Sequence, residues 1–202
     1  MKRTKSLYEP TIEKLKARKK MLTTKDFIAA GIPSIYLSRL LKNNEIERLE
    51  RGIYRFQDGD YDLDYCLYLR YPKIVYSGLS ALFFRGLSDR LPSEPEVTLP
   101  CSYNSSRFPE DVMVKKCSLR LFPVGISTAR TFFGNEVPCY DLERTVIDLI
   151  RRRKRVDPNI YGRALRLYMS DKKKDLTKLM EYARLFAMEK TVYEILELLN
   201  DE

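Results

Sequence analysis

The sequence predicts an α+β protein, with a small N-terminal domain of helices and a β-hairpin and a larger mixed α/β domain that ends in helices. Three observations predict this class. Residues 1–57 contain helix start and stop signals, followed by two segments in which apolar and polar residues alternate. Cationic charge is concentrated in the same residues. Farther along the chain, short β-rich segments lie between groups of helices. We therefore expect one domain over residues 1–57 and a second over residues 58–202.

Two helices are predicted near the N-terminus. The segment "YEPTIEKLKARKK" has Pro10 near a helix start, where the missing N–H costs nothing, and its apolar residues fall on one face. In "TTKDFIAAG", Thr23 and Asp26 have the spacing of a capping pair, and Gly31 favours an end to the helix. The second helix is therefore short and ends at residue 31.

A third helix follows the tight turn at Gly31-Ile32-Pro33. In "SIYLSRLLKN" the leucines at 37, 40 and 41 share one face. The opposite face carries hydroxyl, apolar and cationic groups and no acid: Ser34, Ile35, Ser38, Arg39 and Lys42, with Tyr36 beside them. Arginine can donate two hydrogen bonds to guanine, serine can bond bases or phosphates, and an apolar tip can contact a thymine methyl. This face is therefore suited to the major groove of DNA.

A β-hairpin is predicted after the third helix. Asn43 and Asn44 can adopt the left-handed backbone that ends a helix, and "EIERLERGIYRF" divides into two strands around Arg51-Gly52. We expect Ile46, Leu49, Ile53 and Phe56 to face the helices and Arg48, Arg51, Tyr54 and Arg55 to face outward. Three helices and a basic hairpin make a winged helix-turn-helix, whose third helix enters the groove while the wing contacts the DNA backbone. The same fold can also serve as a protein-contact module.

The larger domain is predicted to be of mixed class. "YDLDYCLYLRYP" is helical, "KIVYSG" is a short buried strand, and "LSALFFRGL" is helical. The segments "PEVTLP", "DVMVKK", "SLRLFPVG" and "VPCYD" are predicted to be strands. From Asp141 onward we expect helices in "DLERTVIDLIRRRKR", "PNIYGRALRLYM", "DLTKLMEYARLFAM" and "KTVYEILELLN".

The net charge of +9 is unevenly distributed. It is +8 over residues 1–57, −3 over 58–150, +8 over 151–174 and −4 over 175–202. The second cationic segment is a possible nucleic-acid or partner patch made of Arg151, Arg152, Arg153, Lys154, Arg155, Arg163 and Arg166. It is open whether this patch contacts DNA, contacts RNA or consists of solvated helix ends, which the helix dipole also favours.

Composition excludes several classes of function. The chain has no histidine, which excludes Ser-His-Asp and Cys-His catalysis and histidine-ligated zinc. We find no phosphate-binding glycine loop and no CxxC pair, and the four cysteines are expected to be reduced and buried. The acidic segment "DGDYDLDY" departs from a calcium loop at its sixth and twelfth positions, so we expect a linker and a helix start. We therefore predict neither an enzyme nor a metal or other cofactor.

Cytoplasmic localisation is expected from the apolar pattern. No apolar segment approaches the roughly 20 residues of a membrane span. The first residues also lack the apolar stretch that a signal peptide needs.

Several segments together resemble the AbiEi antitoxin family of bacterial abortive-infection systems, a group also described as predicted transcriptional regulators of viral defence. The resemblance rests on "LTTKDFIAAGI", "YLSRLLKNNEIERLERGIYRF", "YPKIVYSGLSALFFRGLSDRLP", "VTLP" and "CYDLERTVIDLI", in that order. The family pattern usually has histidine where Arg85 stands and glycine where Asn44 stands.

The resemblance implies a two-part protein. Its N-terminal domain would bind inverted repeats in operator DNA and repress its own operon, and its C-terminal domain would neutralise a co-encoded nucleotidyltransferase-like toxin. A type IV antitoxin opposes the toxin without forming a stable complex with it. Because an inverted repeat requires two copies and no long apolar heptad is present, we expect a monomer that pairs on DNA. The alternative is a stand-alone regulator or interaction module without antitoxin activity.

Overall fold

The computed structural model describes residues 7–18 and 21–200, and their contacts form two compact units that divide between Pro72 and Lys73. The predicted boundary is after residue 57. The division differs because the helix at Leu63–Arg70 packs against the strand Ile53–Phe56 and so belongs to the N-terminal unit.

The described residues of the N-terminal unit form four helices and one three-stranded antiparallel sheet of order β1-β3-β2. Its elements are α1 (Glu9–Arg18), β1 (Met21–Thr23), α2 (Thr24–Ala29), α3 (Ser34–Lys42), β2 (Ile46–Glu50), β3 (Ile53–Phe56) and α4 (Leu63–Arg70). From α1 to β3 this is the order of elements expected of a winged helix-turn-helix domain. The predicted first helix also included Lys19 and Lys20, which lie outside the described residues.

Local sequence signals set the ends of α2 and α3. The Asp26 N–H donates to Thr23 Oγ1 at 3.3 Å, and the Thr23 N–H donates to the Asp26 carboxylate at 2.7 Å, which is the predicted capping box. Gly31, at φ 71°, follows α2, and Asn44, at φ 56°, follows α3. The predicted left-handed turns after both helices are confirmed.

Among the described residues of the N-terminal unit, apolar clusters pack on both sides of the sheet. The first joins the three N-terminal helices to β2 and β3 and contains Ile12, Leu22, Phe27, Ile32, Leu37, Leu40, Ile46, Tyr54 and Phe56. The second, smaller cluster joins Met21 and Ile53 to Cys66 of α4. Strand β1 was not predicted, because three residues give no detectable alternation, but it completes the sheet by pairing with β3.

The predicted helix start within "DGDYDLDY" is also confirmed. The carboxylate of Asp62 accepts a 3.0 Å hydrogen bond from the Tyr65 N–H and so caps α4. Asp58 forms an ion pair with Lys16 at 3.1 Å.

The C-terminal unit contains a five-stranded mixed sheet of order β6-β5-β4-β8-β7 and a group of helices. Its strands are β4 (Val75–Tyr76), β5 (Glu96–Pro100), β6 (Met113–Cys117), β7 (Ile126–Arg130) and β8 (Glu136–Tyr140). Its helices are α5 (Gly78–Phe84), α6 (Leu142–Arg151), α7 (Pro158–Ser170), α8 (Leu176–Leu185) and α9 (Glu189–Asn200). The α+β class and the helical C-terminal region are therefore as predicted.

One predicted strand of this unit is wrong. The segment "SLRLFPVG" forms turns, and β7 begins only at Ile126. Pro123 and the left-handed Gly125, at φ 77°, interrupt the segment. The β-branched residues of "ISTAR" then pair with β8 instead.

Helix α6 is the central helix of the C-terminal unit. Val146, Ile147, Leu149 and Ile150 are at most 4% exposed and lie in an apolar cluster with residues of α5, α7, α8 and α9. The amphipathic stripe predicted from Asp141 onward therefore faces a core, and Asp141 itself caps the helix by accepting from the Arg144 N–H at 2.8 Å.

Arg144, also on α6, is the largest fully buried side chain among the described residues. Its guanidinium donates to the carbonyls of Leu121 and Val124 at 2.8 and 2.6 Å and to the carboxylate of Asp148 at 3.0 Å. The guanidinium carbon lies 4.0 Å from the centre of the Tyr140 ring. This side chain therefore holds the turns before β7 against α6.

Arg85, where the family pattern usually has histidine, is a structural connector at the end of α5. Its guanidinium donates to the main-chain carbonyls of Tyr140, Thr128 and Cys139 at 2.7, 3.1 and 3.1 Å. It therefore attaches α5 to both β7 and β8.

Replacing Arg85 with alanine should lower the free energy of unfolding of the C-terminal unit by about 2–3 kcal/mol, because carbonyls that are partly buried lose a charged donor. Urea unfolding followed by circular dichroism measures the loss. Arg130→Ala is the matched control, since Arg130 lies on β7 but is 76% exposed and should change stability by less than about 0.5 kcal/mol. Equal effects of the two variants would contradict this role of Arg85.

The expectation that all four cysteines are buried is only half correct. Cys66 and Cys139 are buried, whereas Cys101 is exposed and Cys117 is partly exposed. Burial raises the pKa of the Cys66 thiol to about 11 and that of the Cys139 thiol to about 12, so both are protonated near neutral pH.

No helix in the described part of the chain has the length and apolar character needed to cross a lipid bilayer.

Candidate nucleic-acid interface

Helices α2 and α3 form the helix-turn-helix of the N-terminal unit, joined by the turn over residues 30–33. The inner face of α3 is fixed by Leu37 and Leu40, which are 6% and 5% exposed. Because this face is anchored in the core, the opposite side of α3 is held towards solvent.

The exposed side of α3 carries the residues that the sequence analysis assigned to DNA. Ser34, Ile35, Ser38, Arg39 and Lys42 are all exposed. Among the described residues, no carboxylate forms an ion pair with Arg39 or Lys42. The face therefore combines two cations with two hydroxyls and the apolar tip of Ile35, without an acidic residue.

Tyr36 supports this face rather than forming part of it. Its ring is half-buried and lies edge-on to the ring of Tyr8, with 4.6 Å between centroids. The guanidinium carbon of Arg39 lies 5.1 Å from the centre of the Tyr36 ring. This contact limits the positions that the Arg39 side chain can adopt on the helix.

The predicted wing is the β2–β3 hairpin, and its three arginines differ in their contacts. Arg51 is exposed at the turn. Arg48 is also exposed, and its Nε donates to the Glu50 carbonyl at 3.3 Å. Arg55 is only partly exposed, because its guanidinium forms a 2.6 Å ion pair with Glu47 and lies 5.7 Å from the centre of the Tyr61 ring.

The outward orientation predicted for Tyr54 is wrong. Tyr54 is 9% exposed and packs in the helix-facing core, where its ring lies 6.1 Å from that of Phe27. Of the wing residues assigned to DNA, Arg51 and Arg48 are therefore accessible. Arg55 is ion-paired with Glu47, and Tyr54 is part of the core.

Residues 11–57, which contain every side chain of α3 and of the β2–β3 hairpin that was assigned to DNA, match the family model described as the transcriptional regulator AbiEi antitoxin. This segment, the AbiEi-type domain of the chain, is similar to that family over 47 residues. The predicted resemblance is confirmed over these residues. Helix α3, with its exposed cationic face, lies within the segment that matches this family of transcriptional regulators.

The whole chain is similar in fold to the RV2827C protein from Mycobacterium tuberculosis, whose crystal structure it matches with a TM-score of 0.54. The two are 16% identical, and the match covers 91% of this chain and 73% of that chain. No curated protein sequence matches this chain significantly.

The predicted second patch lies outside the AbiEi-type domain, and its five consecutive members, residues 151–155, line one surface cavity. Arg153, Lys154 and Arg155 are exposed on a short 3₁₀ turn after α6. Arg163 forms a 3.0 Å ion pair with Asp89, and Arg166 is exposed on α7. The remaining two members are also engaged: Arg151 pairs with Asp148 at 3.3 Å, and Arg152 pairs with the buried Glu96 at 2.9 Å.

Sequence reasoning missed Lys115 and Lys116, which belong to the same cationic region as Arg152. They lie on β6 and, with Arg151, Arg152 and Arg155, line one cleft of the C-terminal unit. No sequence signal could have joined them, because more than 30 residues separate β6 from the end of α6 and only the pairing of β6 with β5 brings them together.

Proposed function

We propose that this protein is a DNA-binding repressor of its own operon and the antitoxin of a type IV toxin-antitoxin system that acts in abortive infection and antiviral defence. The single observation that carries the proposal is the exposed, acid-free face of α3 within a segment that matches the AbiEi regulator family. The described contacts leave Arg39 and Lys42 without an acidic partner, so both can contact a polyanion.

The proposed binding mode assigns different tasks to α3 and the wing. Helix α3 lies in the major groove, where Arg39 donates two hydrogen bonds to a guanine and Ser34 and Ser38 bond base edges or phosphates. Arg51 and Arg48 of the wing contact phosphates, which add affinity that does not depend on sequence. Lys42, at the end of α3, contributes a further phosphate contact.

The operator is proposed to be an inverted repeat, which requires one copy of the chain at each half-site. The chain is then a monomer in solution that pairs on DNA, in the cytoplasm. Its second partner is a co-encoded nucleotidyltransferase-like toxin, whose effect it opposes without a stable complex.

Two measurements in one bacterial strain test the two halves of this proposal. The full-length chain should repress a reporter fused to its own promoter, and its expression should relieve the growth arrest that the co-encoded toxin causes. Repression without relief would leave a stand-alone regulator, and relief without repression would leave an interaction module. Absence of both would contradict the proposal as a whole.

A further inference from the structure

The C-terminal unit contains an open cleft of about 540 Å³ between the β5–β6 side of its sheet and the end of α6. Its wall includes six cationic side chains: Lys115, Lys116, Arg144, Arg151, Arg152 and Arg155. Three hydroxyl residues also line it: Ser77 and Thr98, which are 2% and 5% exposed, and Ser118, which is exposed. Clefts of this size hold small molecules such as a mononucleotide.

A buried carboxylate organises the floor of this cleft. Glu96 is 3% exposed and accepts from the ammonium of Lys115, from Arg152 at 2.9 Å and from the Leu79 N–H at 3.2 Å. A side chain at Gly78 would overlap both the Glu96 carboxylate and the Lys115 ammonium. The glycine in "YSGLSALFF" is therefore required for this ion cluster to form, in addition to its φ of 56°.

Positive charge exceeds negative charge around the cleft. Glu96 is shared by Lys115 and Arg152, and Asp148 is shared by Arg144 and Arg151, so two carboxylates face four cations. Lys116 and Arg155 have no ion-pair partner among the described residues. Both side chains are exposed, so water and counterions solvate them in the free protein and they are available to a bound anion.

The electrostatics of Lys115 agree with this balance. Burial lowers the pKa of the Lys115 ammonium, and the Glu96 carboxylate does not fully offset the effect, in part because Arg152 lies beside it. For Glu96, burial alone would raise the pKa, but Lys115 and Arg152 outweigh it and hold the carboxyl below its usual pKa. A bound polyanion would stabilise the charged form of Lys115.

We propose that this cleft binds the phosphate groups of a nucleotide, either free or at the end of an RNA strand. Arg152 and Lys115, fixed by Glu96, provide oriented N–H donors, and Arg155 adds an exposed cation to the same wall. Thr98 Oγ1 donates to Ser77 Oγ at 2.8 Å, so the Ser77 hydroxyl can direct its own proton to a phosphate oxygen. Paired cations and hydroxyl donors around a small cleft favour phosphate over an acidic peptide, whose carboxylates are farther apart.

Two arginines of the same 3₁₀ turn provide a matched pair of variants. Arg155 lines the cleft, whereas Arg153, which is also exposed, does not. In the full-length protein, Arg155→Glu should weaken ATP binding in EDTA by at least about tenfold, because a donor is lost and repulsion is gained. Arg153→Glu makes the same change in net charge and should weaken binding by less than about twofold at 150 mM salt.

Isothermal titration calorimetry measures these affinities, and circular dichroism melting checks that both variants are folded. A second variant, Ser77→Ala, keeps the net charge and should weaken ATP binding by roughly threefold or more through loss of one hydrogen bond. The same titrations are made with RNA oligonucleotides that carry or lack a 5′ phosphate. Binding of the phosphorylated RNA but not of ATP would identify the strand end as the ligand.

Two results would overturn the proposal. Wild-type protein that binds neither ATP nor 5′-phosphorylated RNA would show that the cleft is not a phosphate site. Equal losses of ATP affinity in Arg155→Glu and Arg153→Glu would show that the anion is attracted by diffuse surface charge and not by the cleft. Neither result bears on operator binding, so the reporter and growth assays test the proposed function independently.

Discussion

Replacing Arg144 with alanine should destabilise the C-terminal unit by about 3–5 kcal/mol, the cost of removing one member of a buried ion pair. The side chain of Arg144 is 2% exposed, and that of its partner Asp148 is 16% exposed. The variant would leave Asp148 with only the exposed Arg151 and would deprive the Leu121 and Val124 carbonyls of their donor. It would also open a cavity beside the rings of Tyr140 and Phe186, whose centres lie 4.0 and 4.4 Å from the guanidinium carbon.

Urea unfolding followed by circular dichroism measures the loss, and hydrogen exchange of peptides from β8 and α6 locates it in the C-terminal unit. Arg166→Ala is the control, because Arg166 is exposed on α7 and should change stability by less than about 0.5 kcal/mol. Arg144→Lys should recover little, since a single ammonium cannot donate to two carbonyls and a carboxylate in this planar arrangement. A loss below about 1 kcal/mol for Arg144→Ala would contradict the structural role assigned here.

The helix boundaries of the AbiEi-type domain were predictable because their causes are local. The Thr23 and Asp26 capping box, the left-handed Gly31 and the left-handed Asn44 each depend on residues within one turn of the chain. The apolar face of α3 follows from helical spacing in the same way. Its exposed face, which forms the candidate interface, could therefore be named from the sequence.

The errors in the wing have one cause, which is that α4 covers the second face of the sheet. A hairpin with one solvated face was expected, so Tyr54 was assigned to solvent and Ile53 to the helices. In the structure, Tyr54 faces the helices, while Ile53 packs with Cys66 of α4. The register shift between Arg48 and Glu50 further disturbs the alternation in β2. A sequence pattern cannot show which later helix will cover a strand.

The C-terminal unit was less predictable because its polar contacts join distant segments. Arg85 donates to carbonyls more than 40 residues away, and Glu96 pairs with Arg152 across 56 residues. Composition alone indicated that the end of α6 is cationic. Which of those cations line a common cleft depended on the pairing of β5 and β6.

Replacing Arg39 with alanine should weaken operator binding by about 1–3 kcal/mol and relax the sequence preference. Arg39 is exposed on α3, and Tyr36 restricts its guanidinium, so it is the side chain of this helix best placed to bond a guanine. A lost base contact removes discrimination between sequences as well as affinity. The expected loss on the operator is therefore larger than the loss on scrambled DNA.

Arg51→Ala is the matched comparison from the wing, because Arg51 is an exposed arginine of the same domain that we assign to phosphate. Its loss should weaken binding to all sequences alike. It should also reduce the slope of log affinity against log salt concentration by about one unit, since one fewer counterion is released.

The measurement that tests the central claim most directly is a set of binding isotherms for wild type, Arg39→Ala and Arg51→Ala on operator and scrambled DNA at several salt concentrations. We predict that Arg39→Ala lowers the ratio of operator to scrambled affinity, whereas Arg51→Ala keeps that ratio and lowers the salt slope. An Arg39→Ala protein that lost affinity equally on both DNAs, or lost none, would contradict the claim that α3 recognises the operator.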